Sequence, residues 1–173
     1  MDEITPRDTI VRPAELQDSA ALAALQQRAF SPGRFARTAY RLREGAAPVS
    51  RYCRVCLIDG RIIAAMRFTP VQIGARGGAL LLGPLAVDPA FANRGHGRGL
   101  VAEAMQAAQA DGIQIIVLVG DQAYYEKLGF RRVPPGQITL PGPVDPSRLL
   151  AAELAPGALA AFAGRVTTDR AGA

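Results

Sequence analysis

The stretch Arg94-Gly95-His96-Gly97-Arg98-Gly99 sets three glycines between an apolar run and a helical pattern. Residues without a Cβ let several backbone N–H groups turn towards one point, and such a concavity binds anions. The positive end of the following helix adds roughly 0.3 to 1 kcal/mol per favourable charge. Arg94 and Arg98 bring guanidinium donors suited to a phosphate. A second group with chemistry is Tyr124-Tyr125, two phenols whose reference pKa of about 10 keeps them protonated at neutral pH. His96, the single histidine, is expected as a contact within the anion loop or as an exposed side chain rather than as a base. Cys53 and Cys56 form a CxxC. A structural zinc site needs about four ligands, and two cysteines with one distant histidine are too few. In an extended segment residues three apart face opposite sides, so both thiols are expected to be buried and reduced.

Several phosphate-binding arrangements compete for the glycine loop. A P-loop ends in Gly-Lys-Ser/Thr, whereas this chain offers Arg98-Gly99-Leu100, with no hydroxyl for a metal. A dinucleotide fold has its glycines directly after the strand and an acidic residue ending the next one. Here Asp88 to Arg94 intervene, and Gly120-Asp121 is a poor ribose reader. A loop that merely precedes a helix is the remaining alternative.

The elements that must position these residues are legible from periodicity. A short strand over Thr9 to Arg12 leads to a helix from about Asp18 to Phe30, with Leu16, Leu22, Leu25 and Ala29 on one face and Asp18 or Ser19 as cap. A second helix is expected through Tyr40 and Leu42, ending near Gly45. Tyr52 to Ile58 and Arg61 to Ile73 flank Asp59-Gly60, the signal of a type I′ hairpin. After a turn over Gly74 to Gly78, the near-continuous apolar run Ala79 to Val87 reads as a central strand. Gly97 to Ala110 carries Leu100, Val101, Ala104, Met105 and Ala108 along one helical face, and Ile113 to Val119 is a buried strand. Strand, helix and strand form a β-α-β unit, so those two strands should be parallel. A short helix over Gln122 to Leu128, strands over Phe130 to Val133 and Gln137 to Leu140, and a helical or irregular C-terminal segment anchored by Leu149, Leu150, Leu154, Leu159 and Phe162 complete the reading. The residues from about Thr168 onwards are expected to fray.

Leu85-Ala86-Val87, Pro89 and Arg94-Gly95-His96-Gly97 ahead of a helix resemble the Q/R-x-x-G-x-G/A acetyl-CoA signature of the GNAT superfamily of N-acetyltransferases. Ala92 stands where that signature has Gln or Arg. Separately, Tyr124-Tyr125-Glu126-Lys127-Leu128-Gly129-Phe130 is similar to the family's Y-E-K-L-G-F segment. Val119-Gly120-Asp121 and Glu153 to Leu159 further resemble the YhbS-like branch. The resemblance implies an α/β fold, a mixed central sheet flanked by helices and splayed between its fourth and fifth strands, Ala79 to Val87 and Ile113 to Val119. It implies acetyl-CoA as co-substrate, no metal, and transfer to a primary amine of a small molecule or peptide. Pantetheine would lie along Leu85, Ala86 and Val87, with a backbone N–H near Val87 polarising the thioester. Amides of Asn93, Arg94, Gly95, His96, Gly97 and Arg98 would hold the pyrophosphate. Tyr125 aligns with the tyrosine that protonates the departing thiolate, and Tyr124 with packing or cofactor contact. The general base stays open between water, Asp121 and a group on the substrate, because Leu80-Leu81-Leu82-Gly83-Pro84 lacks the carboxylate that family members often carry there. The missing carboxylate and Ala92 also suit a different class, an acetyl-CoA-binding regulatory module with little or no activity.

Composition sets the outer bounds. The 173 residues are 49% hydrophobic, enough for one domain spanning 1–173, with the extension from about residue 134 packed on it. No apolar run reaches the roughly 18 residues of a membrane span, and acidic Asp2 and Glu3 replace the cations of a signal peptide, so a cytoplasmic protein is expected. The net charge of +5 suits an anionic cofactor. All basic residues except Lys127 are arginine, a skew ascribed to genome base composition. They form no run of five or more and few aromatics accompany them, so a nucleic-acid partner is not expected. A homodimer is left open.

Overall fold

The computed structural model describes residues 8–30 and 42–170. Its centre is a mixed sheet in the order β1-β2-β3-β4-β5-β8-β6. The strands are β1 (Thr9–Pro13), β2 (Arg54–Ile58), β3 (Arg61–Ile73), β4 (Arg76–Val87), β5 (Ile115–Val119), β6 (Arg131–Arg132), β7 (Ile138–Thr139), β8 (Leu149–Glu153) and β9 (Gly164–Thr168). The helices are α1 (Ser19–Ala29), α2 (His96–Ala110), α3 (Gln122–Tyr125) and α4 (Ala158–Ala161). No helix among the described residues is long and apolar enough to cross a membrane.

Asp59 and Gly60 take φ of 52° and 75°, so both central residues of the β2–β3 turn are left-handed, as a type I′ hairpin requires. β3 and β4 pair from Ile73↔Arg76 onwards across the two-residue turn Gly74-Ala75. The ladder therefore captures Arg76 to Gly78, which glycine content alone assigns to a turn. β4 and β5 run parallel, paired over Ala79↔Ile115, Leu80↔Ile116 and Leu81↔Val117, with α2 as the crossover. Beyond Leu81 the pairing stops although β4 continues to Val87. This is the splay, the gap on which the site is built.

The sheet separates two layers. One side packs α2 through Leu100, Val101, Ala104 and Ala108 onto Ile63, Phe68, Leu80 and Ile116. On the other, Leu25 of α1 packs with Cys53, Val55, Ile62 and Ala86. Cys53 and Cys56 are both buried and free, and they fall into these two different clusters, on opposite faces. Among the described residues no cluster of His, Cys, Asp and Glu suits a metal.

Four expectations change. Leu16 is 68% exposed, because it sits in a 3-10 turn ahead of α1 and is out of phase with the helix. Asp18 does not cap α1. Its carboxylate accepts from both terminal nitrogens of Arg12 at 2.8 Å and from the Glu15 amide, and the Arg12 contact pulls its pKa below the usual carboxylate value. Leu149 and Leu150, assigned to a helical or irregular tail, begin β8, which pairs antiparallel with all of β5. β5 would otherwise present an open apolar edge. β9 pairs with β3 at Val71 to Ile73, and Thr168 is its last residue rather than the start of a frayed end. Most of the helix expected through Tyr40 lies outside the described residues; residues 42–45 form a turn.

Candidate active site

β4 supplies the wall of the splay. The Asp88 amide donates to the Ile63 carbonyl on β3 at 2.8 Å. Successive amides along a strand alternate in direction, so the Val87 N–H points away from β3, into the gap that β5 has left. Leu85, two residues earlier, shares that direction. Ala86 pairs with Ala65, turns its backbone to β3 and buries its methyl on the α1 side. Of the expected trio, Leu85 and Val87 thus offer main-chain groups to the gap, and Ala86 spaces them.

The floor is the start of α2. Asn93 and Gly95 take φ of 60° and 84°, reversing the chain directly ahead of the helix. The Gly99 amide is the first in α2 with a helical partner, the Gly95 carbonyl at 2.9 Å. The amides of His96, Gly97 and Arg98 precede it and have no intrahelical acceptor. Gly97 is buried, and a Cβ there would stand 2.7 Å from the Tyr124 Oη, 3.3 Å from Val87 Cγ2 and 3.5 Å from Leu85 Cδ2. A single missing methyl group therefore brings β4, α2 and the tyrosine segment to one point.

Arg98 lies with its guanidinium carbon 5.0 Å from the centroid of the Tyr124 ring, and its buried Nε has no hydrogen-bond partner among the described residues. Such a donor suits an anion at the helix start. Arg94 is exposed and lies over Phe91 at 5.6 Å. The His96 ring packs edge-on to Phe91, with Nδ1 3.9 Å from Cys56 Sγ.

Tyr125 is half-buried, with its ring edge-on to Tyr124 at 4.8 Å and to Phe130 at 5.7 Å. Burial pushes its pKa up to about 12, with a smaller contribution from Tyr124. Burial also raises Tyr124, against the opposing charge of Arg98. Two residues to which the motifs gave no role hold this region in place. A Cβ on Gly120 would meet Tyr125 Cε2 at 2.7 Å, so Gly120 makes the seat of that ring. Asp88, 4% exposed, accepts from Arg61 Nη2 at 2.8 Å, Arg28 Nε at 3.2 Å and the Ala90 amide at 3.0 Å. It anchors the end of β4 to α1 and β3. The signal for Asp88 was present, since an acidic residue closing an apolar strand needs a partner. Asp121 caps α3 through the Ala123 amide, and Glu103 pairs with Arg54.

Comparison with known proteins agrees with this arrangement. The model of the acetyltransferase (GNAT) family matches residues 19–130. The chain is 28% identical over 118 residues to the uncharacterized N-acetyltransferase YhbS of Escherichia coli K12, covering 65% of this chain and 68% of that protein. The crystal structure of E. coli YhbS in complex with CoA superposes with a TM-score of 0.81 at 26% identity, over 98% of this chain and 94% of that one. A GNAT family acetyltransferase of Brucella melitensis, solved with acetyl-CoA, shares the fold with a TM-score of 0.70 at 22% identity, over 95% and 97% of the two chains. With the splayed strands, the glycine-led helix and the tyrosine segment in their places, the chain belongs to the GNAT family of acetyltransferases.

Proposed function

We propose that the protein transfers the acetyl group of acetyl-CoA to a primary amine, with the CoA lying in the gap between β4 and β5. The observation that carries this reading is the open segment of β4, whose Val87 amide faces the gap directly above the glycine-led start of α2. Acetyl-CoA supplies an activated acyl thioester, whose departing thiolate needs a proton. The amides of His96, Gly97 and Arg98, the chain reversal at Asn93 to Gly95 and the Arg98 guanidinium bind the pyrophosphate. Leu85 and Val87 pair with the pantetheine amides, and the Val87 N–H donates to the thioester oxygen, where negative charge develops. Tyr124 covers the cofactor path beside Gly97.

Tyr125 donates the proton to sulfur. With its pKa at about 12 it keeps its proton through neutral and mildly alkaline pH. A thiolate leaving within the same dry gap is raised by desolvation too, which favours the transfer. Binding is checked by thermal unfolding. Acetyl-CoA and CoA should stabilise the protein by about 2.7 kcal/mol at a hundredfold excess over Kd, and ATP and NAD by less. A ranking with ATP or NAD first would reject the cofactor.

One observation favours a second reading, that of a CoA-binding regulatory module. β4 carries no carboxylate, and Asp88 and Glu103 are committed to arginines. That reading expects equally tight CoA binding with no turnover on any amine.

A further inference from the structure

Gly120 directly follows β5 and precedes Asp121, the cap of α3. Its φ lies outside the left-handed region that calls for glycine at Gly95 and Gly129, so the backbone sets no such requirement here. The requirement is space. A Cβ would stand 2.7 Å from Tyr125 Cε2, 3.2 Å from Tyr125 Cδ2 and 3.0 Å from Leu118 Cδ1.

Two of the three parts that meet at this point are fixed. Leu118 is buried in the close-packed cluster under α2. The main chain is tied to the neighbouring strand, because the Gly120 amide donates to the Arg148 carbonyl at 2.9 Å, directly ahead of β8. The Tyr125 ring is the part left to move. Carbon atoms rest at roughly 3.5 to 4.0 Å, so its edge would shift by about 1 Å to admit a methyl group. Cε2 is bonded to the ring carbon that bears the hydroxyl, and the shift passes straight to Oη.

We propose that Gly120 is a positioning residue of the transfer reaction: the empty place of its side chain sets where the Tyr125 hydroxyl stands against the departing sulfur. The inference rests on the reading of Tyr125 as proton donor. In that step the C–S bond breaks as the carbonyl re-forms, and Oη gives its proton to sulfur, leaving CoA thiol and a phenolate. The proton that the amine loses on becoming an amide restores the phenol through solvent. Proton transfer needs donor and acceptor within roughly 2.6 to 3.2 Å, a window narrower than the displacement a methyl group would impose.

The test is a double-mutant cycle on Gly120→Ala, Tyr125→Phe and the pair together. Thiol release from acetyl-CoA is followed with the best acceptor among amino acids, dipeptides and spermidine, on protein shown to be folded by thermal unfolding. Gly120→Ala should lower kcat by about 10 to 10²-fold, with CoA affinity and acceptor KM within about twofold of wild type. In the Tyr125→Phe background the same substitution should change kcat by less than about twofold, since no hydroxyl remains to be misplaced. Should Gly120→Ala fail to fold, Gly120→Ala/Phe130→Leu removes bulk from another neighbour of the ring, and the same cycle is run on it. Crystal structures of wild type and variant with CoA give the second readout, in which Oη should stand about 1 Å away from its wild-type place. Wild-type kcat in Gly120→Ala, full multiplication of the two effects, or an unmoved hydroxyl overturns the proposal. If Tyr125→Phe alone keeps wild-type turnover, the proton-donor reading fails and takes the proposal with it; a loss in Tyr125→Phe without one in Gly120→Ala overturns the proposal alone. Should no amine turn over, the transfer reading fails, and the position of Oη in the crystals still decides whether Gly120 sets it.

Discussion

At the scale of single residues, the site depends on absent atoms as much as on present ones. Gly97 brings Leu85, Val87 and Tyr124 to one point because no methyl group keeps them apart, and Gly120 seats the Tyr125 ring in the same way. Gly97→Val should therefore lower CoA affinity more than tenfold while changing stability by no more than about 1 kcal/mol, since the obstruction falls on the flexible end of Tyr124 rather than on the main chain. Calorimetry on the folded variant checks this, and unchanged affinity would place the anion site elsewhere. The glycines were readable because their spacing ahead of a helix fits one backbone task, and the tyrosines through the resemblance of their segment to the family's. The orientation of His96 was not, for it depends on Phe91 and on Cys56, forty residues away in sequence.

At the scale of elements, strong local signals survived folding and weak ones were overridden by pairing. The Asp59-Gly60 turn, the apolar face of α2 and the parallel β4–β5 pair follow from hairpin chemistry, a 3.6-residue period and β-α-β connectivity. β8 was not legible, because Leu149-Leu150-Ala151-Ala152 has no alternation and strand formation there comes from the open edge of β5. The end of β4 is set by Asp88, which ties it to Arg28 on α1 and Arg61 on β3. Asp88→Asn keeps an oxygen that can accept from the two arginines and removes the negative charge that pairs with them. Because both arginines are well exposed, the expected loss is about 1 to 2 kcal/mol in urea unfolding. CoA affinity should fall as well, since the loop from Val87 to Asn93 loses its anchor. A variant with wild-type stability and affinity would show that the contact does not hold the loop.

At the scale of the whole molecule, the C-terminal third completes the sheet that carries the site. β8 covers β5 and brings β6 alongside, and β9 covers β3. Leu150 is fully buried in the cluster that packs under α2, so Leu150→Ala should cost about 3 kcal/mol in urea unfolding, and a loss under 1 kcal/mol would mean that β8 packs only loosely. What this assembly exists to do is tested most directly by thiol release from acetyl-CoA in the presence of amine acceptors, run on wild type beside Tyr125→Phe and Tyr124→Phe. Wild type should release thiol in step with acetylated amine. Tyr125→Phe should lower kcat by about 10² to 10⁴ with CoA affinity kept, and Tyr124→Phe should lose much less. Tight CoA binding with no acceptor-dependent thiol release, or equal turnover by Tyr125→Phe and wild type when chemistry limits the rate, would contradict the account.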